Sequence, residues 1–268
     1  MTSSERHNIR ISGSGSRTIV FAHGYGCDQN MWRLVAPAFE KEYRVVLFDY
    51  VGSGLSDKSA YNPVRCNSLD GYADDVVMIA RELELQDAIF VGHSVSAMIG
   101  ALAVIREPKR FTDLVMVGPS PRYINEPDYV GGFDRGDIDD LIESLSSNYL
   151  GWSSTMAPVI MGNADRPELA EELTNSFCQM DPVIAKNFAR VTFLSDSRQD
   201  LATVSARTLI LQCSDDVIAP VAVGKFVHEN ILGSEFVIMN ATGHCPNLSA
   251  PEETTKYIKE FLNRRENA

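Results

Sequence analysis

Short apolar runs recur along the chain, and segments of helical length separate them. Six runs rich in β-branched residues predict strands at residues 17–22, 44–48, 88–91, 114–117, 208–212 and 235–239. Because these runs are apolar on both sides and alternate with helices, they are typical of a parallel sheet covered on both faces. The pattern therefore predicts an α/β protein with a mostly parallel sheet. Helices are predicted at residues 31–39, 69–83, 95–105, 222–228 and 251–263.

The alternation breaks between residues 119 and 200, where the chain becomes helical. A 3.6-residue stripe of apolar positions runs through residues 134–148, and similar stripes run through 167–180 and 182–194. Since ligand sites of open α/β sheets lie at the carboxyl ends of the strands, we expect a cap there. A helical layer that completes the core is the alternative. The predicted organisation is one domain, with a core of residues 1–118 and 201–268 and a helical lid of residues 119–200.

Composition and charge narrow the classes of partner. The chain has 268 residues, of which 44% are hydrophobic and 22% charged, an ordinary globular mixture. Its formal net charge is −12, and it has no dense run of lysine and arginine. An acidic protein is a poor partner for nucleic acid or an anionic membrane surface. The longest apolar stretch, residues 97–105, is shorter than the roughly 20 residues of a membrane helix.

Five cysteines are scattered along the chain without a Cys-x-x-Cys pair. An odd, scattered set argues against a disulfide framework and a zinc site, and it favours a reducing compartment. Residues 1–10 are polar and lack the apolar core of a signal peptide. We therefore expect a cytoplasmic protein that uses neither a metal nor an organic cofactor.

Residues 90–99 read F-V-G-H-S-V-S-A-M-I and carry the strongest chemical signal. Ser94 lies at a sharp turn between a predicted strand and a helix of small residues. This arrangement resembles the nucleophile elbow of α/β-hydrolases, whose tight turn exposes the serine hydroxyl at the top of the sheet. Gly92 permits the strained backbone of such a turn. The usual pattern is Gly-x-Ser-x-Gly, and Ser96 replaces its last glycine, so a chance match is the alternative.

A serine nucleophile needs a histidine base and an acid that orients the histidine. In α/β-hydrolases their order along the chain is serine, acid, histidine. Only His228 and His244 follow Ser94, and His244 is favoured because it lies in the loop directly after the last predicted strand. The acid is expected after the preceding strand. Asp215 and Asp216 both stand there, and spacing alone does not separate them.

Two backbone amides are expected to stabilise an oxyanion. One belongs to Val95, the residue after the serine, and the other to Tyr25 in the turn H-G-Y-G at residues 23–26. This turn lacks the lysine and hydroxyl residue of a phosphate-binding loop. A simple glycine turn is the alternative. It is weakened because the turn, the serine, the acid and the histidine follow successive strands in the order that the chemistry requires.

Several stretches are similar to one branch of the α/β-hydrolases, namely the RsbQ-like regulators of bacterial stress sigma factors and the related plant strigolactone and karrikin receptors. The stretches are G-Y-G-C-D-Q at 24–29, L-F-D-Y-V-G-S-G at 47–54, residues 90–100, S-P-R-Y at 120–123, G-G-F at 131–133 and G-H-C-P at 243–246. The resemblance covers nearly the whole chain. It implies Ser94 as the nucleophile, Asp216 as the acid and His244 as the base, and Ser96 resembles the residue of the plant receptors at its position.

The resemblance also implies a four-helix lid over a closed apolar pocket. The pocket residues that it implies are Tyr25, Tyr123, Phe133, Trp152, Met156, Leu173, Phe193 and Ile218. Ordinary core packing of the lid is the alternative for each. Tyr25 stands where phenylalanine is usual, and Met156 replaces an aromatic residue of the plant receptors, so the identity of the ligand does not transfer.

The expected function is a serine hydrolase that acts on a small apolar ester or lactone. By resemblance to the RsbQ-like proteins, it would serve signalling, with a sensor-domain protein phosphatase as a partner that binds the lid. The plant receptors imply instead a ubiquitin-ligase adaptor and a repressor. The alternatives are a receptor or regulatory protein that hydrolyses its ligand slowly, and a binding protein with a vestigial triad.

Overall fold

A seven-stranded sheet forms the centre of the computed structural model, which describes residues 2–266. The strands are β1 (Arg10–Ser12), β2 (Arg17–Ala22), β3 (Tyr43–Leu47), β4 (Ala88–His93), β5 (Phe111–Val117), β6 (Arg207–Asp215) and β7 (Glu235–Thr242). Their spatial order is β1-β3-β2-β4-β5-β6-β7. β1 pairs antiparallel with β3, and the other neighbours pair in parallel. The predicted α/β architecture with a mostly parallel sheet is confirmed.

Ten helices in chain order accompany the sheet within the described residues. They are α1 (Ser3–Arg6), α2 (Leu69–Glu82), α3 (Val95–Arg106), α4 (Arg135–Ser147), α5 (Tyr149–Met161), α6 (Pro167–Gln179), α7 (Pro182–Leu194), α8 (Val221–Asn230), α9 (Pro246–Ser249) and α10 (Pro251–Glu266). None of the helices between residues 2 and 266 combines the length and the apolar character needed to cross a membrane.

The central strands are covered on both faces. β4 is buried at every position, and β2 and β5 are buried at all positions but one. Because successive side chains of a strand point to opposite faces, this burial requires packing on both sides of the sheet. α3 packs against β4 and β5, and α8 and α10 pack against β6. The parallel pairing brings the carboxyl ends of β2, β4, β5, β6 and β7 to one edge of the sheet.

The helix predicted at residues 31–39 is wrong. The segment forms two separate 3-10 turns, Gln29–Trp32 and Ala36–Phe39. Pro37 has no amide hydrogen, and in a continuous α-helix its ring would clash with the carbonyl group of Arg33. The apolar spacing at these positions therefore reflects burial from two short turns, rather than one face of a helix.

The polar N-terminal residues are part of the folded structure. His7 is fully buried, with Nδ1 3.2 Å from the carbonyl oxygen of Asp49 and Nε2 3.5 Å from Asp75. Arg65 forms an ion pair with the same Asp75 carboxylate. These partners let a polar segment pack against α2, since a buried polar group is tolerated when it is hydrogen-bonded.

Four helices, α4 to α7, occupy the segment between β5 and β6 for which a lid is predicted. α4, α6 and α7 coincide with the three apolar stripes. α5 has no predicted counterpart, because it is apolar over most of its circumference and contains Gly151 and Pro158, both unfavourable inside helices. It begins at a side-chain cap in which Asn148 Oδ1 accepts the amide hydrogen of Gly151 at 3.0 Å. The boundary between core and lid stays a prediction.

Candidate active site

Ser94 lies in a strained turn between β4 and α3. Its backbone has φ 56° and ψ −126°, a conformation that residues other than glycine rarely adopt. The turn is held by the amide hydrogen of Ser94, which bonds the carbonyl oxygen of Val117 at 2.8 Å on the neighbouring strand. Strain of this kind persists only where the surroundings enforce it, and it is frequent at functional sites.

Close packing around the turn explains its small residues. A Cβ atom on Gly92 would lie 2.3 Å from the carbonyl oxygen of Ser96, so no larger residue fits. Ser96 is tolerated because its hydroxyl finds hydrogen-bond partners in the turn. It donates a hydrogen bond to the carbonyl oxygen of His23 and lies 2.9 Å from the Tyr50 hydroxyl. The irregular residue of the motif therefore ties the elbow to the loop that follows β2.

Three side chains form a continuous hydrogen-bonded chain at the carboxyl edge of the sheet. His244 Nε2 lies 2.7 Å from Ser94 Oγ, and His244 Nδ1 lies 2.7 Å from Asp216 Oδ2. All three residues are at most 6% exposed. This geometry lets the imidazole accept the serine proton through one ring nitrogen while the carboxylate holds the other.

Local structure decides which of the two adjacent aspartates joins the chain. Asp216 turns inward after β6, and its Oδ1 accepts amide hydrogens from Ile218 at 2.8 Å and Ala219 at 3.1 Å. Asp215 is exposed, and its carbonyl oxygen accepts the amide hydrogen of Gly243 at 2.7 Å. One aspartate thus meets the histidine while the other anchors the loop that carries it.

The environment keeps Asp216 ionised. Burial acts to raise the pKa of this carboxyl group, but His244 and the two backbone amides outweigh it, so its pKa lies below the usual value. An ionised carboxylate is the form that fixes the imidazole with its Nδ1 hydrogen toward Asp216 and its Nε2 lone pair toward Ser94.

The loop that carries His244 is attached to α5. The amide hydrogen of His244 bonds the carbonyl oxygen of Ile160 at 2.8 Å, near the end of that helix. Gly243 has φ 84°, and a Cβ atom there would lie 1.8 Å from the carbonyl oxygen of Met161. Glycine is required at this position because the backbone of α5 approaches so closely.

His93, the residue before Ser94, is a buried structural histidine. Its Nε2 lies 2.6 Å from the carbonyl oxygen of His244 and donates to it. Burial lowers the pKa of His93 to about 3, and the nearby His244 acts in the same direction. A neutral His93 therefore supports the loop of His244 without adding a charge beside the reacting groups.

The two predicted oxyanion amides belong to segments that meet at Ser94. Val95 is the first residue of α3, and amide hydrogens in a first helical turn have no partner within the helix. Tyr25 follows β2, in a turn that passes beside the elbow. A Cβ atom on Gly24 would lie 3.2 Å from Ser94 Cβ and 2.8 Å from His93 Nδ1. The glycine thus lets the backbone before Tyr25 approach the serine.

A narrow apolar cavity of about 30 Å³ lies against Ser94 and His244. This volume has room for about two water molecules. The lining residues are Tyr25, Cys27, His93, Ser94, Tyr123, Ile160, Leu173, Phe177, Thr192, Phe193, Ile218, His244 and Cys245. Among residues 2–266, no three or more histidine, cysteine, aspartate or glutamate side chains are arranged to hold a metal ion.

Comparison with known proteins identifies the family. Residues 19–256 match the alpha/beta hydrolase family. The chain belongs to this family. It is 41% identical over 249 residues to Karrikin insensitive 2 receptor CA of Petunia hybrida, with 92% of each chain covered. It is 38% identical over 261 residues to Strigolactone esterase D14 of Arabidopsis thaliana, with 97% of each covered. A solved hydrolase from Oleispira antarctica is 43% identical and has a TM-score of 0.95, over 97% of this chain and 96% of that one.

Five of the eight pocket residues predicted for this alpha/beta hydrolase line the cavity, and three do not. The three outside it are Phe133, Trp152 and Met156. Trp152 is one layer away, stacked between Tyr149 and Phe177, and it reaches the cavity through Phe177. Phe133 and Met156 are partly exposed and pack at the margin of the core. The structure therefore places these three residues outside the lining of the cavity, and their role in a substrate pocket stays a prediction.

Sequence reasoning missed six lining residues, namely Cys27, His93, Ile160, Phe177, Thr192 and Cys245. Helical periodicity held a signal for two of them. Phe177 is one turn beyond Leu173 on α6, and Ile160 is one turn beyond Met156 on α5. Cys245 directly follows His244. No sequence pattern indicates that Thr192 lines the cavity, because a polar residue on a lid helix is expected to be exposed.

The hydroxyl of Tyr25 is buried, and its ring belongs to an aromatic cluster. The ring of Tyr25 contacts four aromatic rings, at Trp152, Phe177, Phe188 and Phe193, with centroids 5.7–6.4 Å away. Burial, followed by the nearby Tyr149, raises the pKa of Tyr25, so its hydroxyl stays protonated. The tyrosine that replaces the usual phenylalanine is thus part of an aromatic cluster joining the β2 loop to the lid helices.

Proposed function

We propose that this alpha/beta hydrolase is a serine hydrolase that cleaves a small apolar ester or lactone. The observation that carries the proposal is the hydrogen-bonded chain Ser94–His244–Asp216, with both linking distances at 2.7 Å. The chain adjoins a cavity, so that a carbonyl group can be placed beside the serine oxygen. Esterase names among the relatives support the same reaction class.

The geometry supports a two-step acyl transfer. Ser94 Oγ attacks the substrate carbonyl carbon while His244 Nε2 takes the serine proton. The amides of Val95 and Tyr25 stabilise the negative charge on the tetrahedral oxygen. His244 then gives the proton to the leaving alcohol oxygen, and the acyl group stays on Ser94. A water molecule, deprotonated by His244, releases the acid and restores the serine.

The cavity supports an apolar substrate of small size. Its wall is formed mainly by aromatic and aliphatic side chains, among them Leu173, Phe177 and Phe193. Because its volume is far below that of typical ligand pockets, the lid helices must move to admit a substrate. In a lactone, the leaving alcohol remains joined to the acyl group, so one compound occupies the whole cavity through both steps.

The proposal also includes a signalling role for the hydrolase. The resemblance to RsbQ-like regulators supports a sensor-domain protein phosphatase as a partner of the lid. The similarity to karrikin receptors supports a second candidate, a receptor whose hydrolysis is slow. The small volume of the cavity favours this candidate, since a lid movement that precedes substrate entry would limit turnover. The scattered, unpaired cysteines support a cytoplasmic location for either role.

The decisive experiment replaces Ser94 with alanine and measures hydrolysis of 4-nitrophenyl acetate. We expect the rate constant of the catalysed step to fall by about 10⁴-fold or more, because Ser94 Oγ is the nucleophile that His244 Nε2 deprotonates. Ser154→Ala, on the exposed side of α5, is the matched control and should retain the wild-type rate. A Ser94→Ala protein as active as the wild type would exclude this function.

Turnover kinetics separate the hydrolase from the slow receptor. A hydrolase releases product at a constant rate over many turnovers, whereas a slow receptor shows a burst of one equivalent and an acylated Ser94 detectable by mass spectrometry. For the partner, binding of a purified sensor-domain phosphatase encoded beside this gene is measured with and without the ester. Absence of binding in both states would remove the partner from the proposal.

A further inference from the structure

The cavity wall carries one hydroxyl group that the proposed reaction does not use. Thr192, on α7, is 1% exposed and lines the same cavity as Ser94. Its Oγ1 has no hydrogen-bond partner among residues 2–266. Threonine within a helix often bonds the carbonyl oxygen four residues earlier, and Thr192 does not. Its hydroxyl is therefore available to a molecule that enters the cavity.

An unpartnered buried hydroxyl destabilises a protein, because the group gives up its hydrogen bonds to water. Valine has nearly the shape of threonine and would fill the position without that cost. The neighbouring lining residues Leu173, Phe177 and Phe193 offer no acceptor. A ligand that brings its own oxygen atom would satisfy the hydroxyl, and this gain explains the presence of a threonine here.

The Tyr123 hydroxyl serves as a contrast in the same cavity. It also lacks a hydrogen bond of normal geometry, but it interacts with Ser94 and so belongs to the reacting end. Thr192 instead lies on a lid helix. Tyr123 therefore has a partner in the reacting group, whereas the proposed reaction leaves the hydroxyl of Thr192 without one.

We infer that Thr192 is a specificity-determining residue that donates a hydrogen bond to an ether, carbonyl or hydroxyl oxygen of the substrate. The favoured substrates are therefore esters or lactones that carry a further oxygen atom in addition to the ester group, rather than esters of plain hydrocarbon acids. This inference rests on the proposed function, because it concerns the same cavity and reaction.

The test compares four 4-nitrophenyl esters of equal chain length on wild type and Thr192→Val. They are the hexanoate and three ethers in which one oxygen replaces one methylene, namely propoxyacetate, 3-ethoxypropanoate and 4-methoxybutanoate. For each ether, the ratio of its kcat/KM to that of the hexanoate is compared between the two proteins, which cancels intrinsic reactivity. For at least one ether we expect this ratio to fall by about three- to ten-fold in Thr192→Val, the effect of one hydrogen bond.

Controls separate a ligand contact from a structural one. Thr192→Ser keeps the hydroxyl and should retain the ether preference. Thr174→Val, on α6, removes a hydroxyl that bonds the carbonyl oxygen of Ala170 and should leave the ratios unchanged. The melting temperature of Thr192→Val should equal or exceed that of the wild type, because an unpartnered hydroxyl is lost. A fall in melting temperature, or ratios within two-fold of wild type for all three ethers, would overturn the inference.

Failure of the proposed function has a different signature. If Ser94→Ala hydrolyses all four esters like the wild type, the serine chemistry is wrong whatever Thr192 does. Ketones in which a methylene replaces the ester oxygen, and which cannot be hydrolysed, are then bound to wild type and Thr192→Val, and the rise in melting temperature is measured. A larger rise with an ether ketone than with the plain hydrocarbon ketone, lost in Thr192→Val, supports the Thr192 contact on its own. Equal rises would overturn it.

Discussion

Polar side chains are arranged differently at the carboxyl edge of the sheet and on the helices above it. At the sheet edge, Ser94, His244 and Asp216 bond one another, and Asp216 also accepts two backbone amides. On the helical side, the cavity wall is mainly aromatic and aliphatic, and Thr192 Oγ1 has no hydrogen-bond partner in the part of the chain that the structure describes. The contrast indicates that the reacting geometry is built by the strands, whereas the choice of ligand is left to the helices.

The physical basis is the kind of contact that holds each region. The strands are joined by ladders of backbone hydrogen bonds in fixed register, so their ends cannot shift independently. The lid helices are held mainly by side-chain packing, as in the stack of Phe188 on Tyr72 at 4.4 Å. Packing contacts can rearrange around a ligand while a bonded sheet edge stays in place.

The largest effect is expected at the sheet edge, from Asp216→Asn. An asparagine cannot hold the imidazole in the required tautomer or stabilise its charged form, so kcat should fall by about 10⁴-fold. The assay is hydrolysis of 4-nitrophenyl acetate. Asp215→Asn is the matched control, since that side chain is exposed, and it should keep the wild-type rate. Equal losses of kcat in the two variants would show that the contact between Asp216 and His244 does not distinguish the two aspartates in catalysis.

The next effect concerns the attachment of the lid. Phe188 on α7 is fully buried against Tyr72 of α2 and Tyr25 of the β2 loop. Phe188→Ala should lower the free energy of unfolding by about 3–5 kcal/mol in urea, because a large cavity replaces the ring. Val183→Ala, 75% exposed on the same helix, should change it by less than about 0.5 kcal/mol. Similar small effects for both would show that α7 is not anchored in the core.

A smaller effect is expected from acid. His93 is neutral when folded, with its pKa lowered to about 3 by burial, so below about pH 6.5 the unfolded chain binds a proton that the folded chain does not. The contribution of neutral His93 to the free energy of unfolding is therefore complete above about pH 6.5 and is lost progressively as the pH falls. Between pH 7.5 and pH 5, His93 should account for a loss of about 2 kcal/mol in the free energy of unfolding.

His93→Gln tests this linkage, since an amide can still donate to the His244 carbonyl group but does not titrate. The fall in the free energy of unfolding between pH 7.5 and pH 5 should be about 2 kcal/mol smaller in the variant. His228→Gln, at a partly exposed histidine, is the control. An unchanged fall in His93→Gln would show that another group governs the acid sensitivity.

Sequence patterns predicted the sheet well and the helical segment less well. Each of the six predicted strands overlaps an observed one, because a buried parallel strand is apolar on both faces and can be recognised without knowing which strands lie beside it. α5 was missed, since apolar residues occur around most of its circumference and leave no stripe of the kind that marks a helix. Chain order left His228 and His244 as candidates for the base, and the position of His244 in the loop after the last strand selected the residue that the structure joins to Ser94. Asp215 and Asp216 were separated by resemblance, and the inward turn after β6 shows the physical reason.

By itself, the sequence determined the succession of strands and helices and the chemical groups at the strand ends. Those signals are local, since hydrophobic period and turn residues act over a few positions. Only the tertiary structure decided that Ser94 and His244, 150 positions apart, meet at 2.7 Å, and that Phe177 and Thr192 line the cavity in place of Phe133, Trp152 and Met156. Such contacts depend on how whole helices rotate and pack against the sheet, and no short stretch of sequence records that rotation.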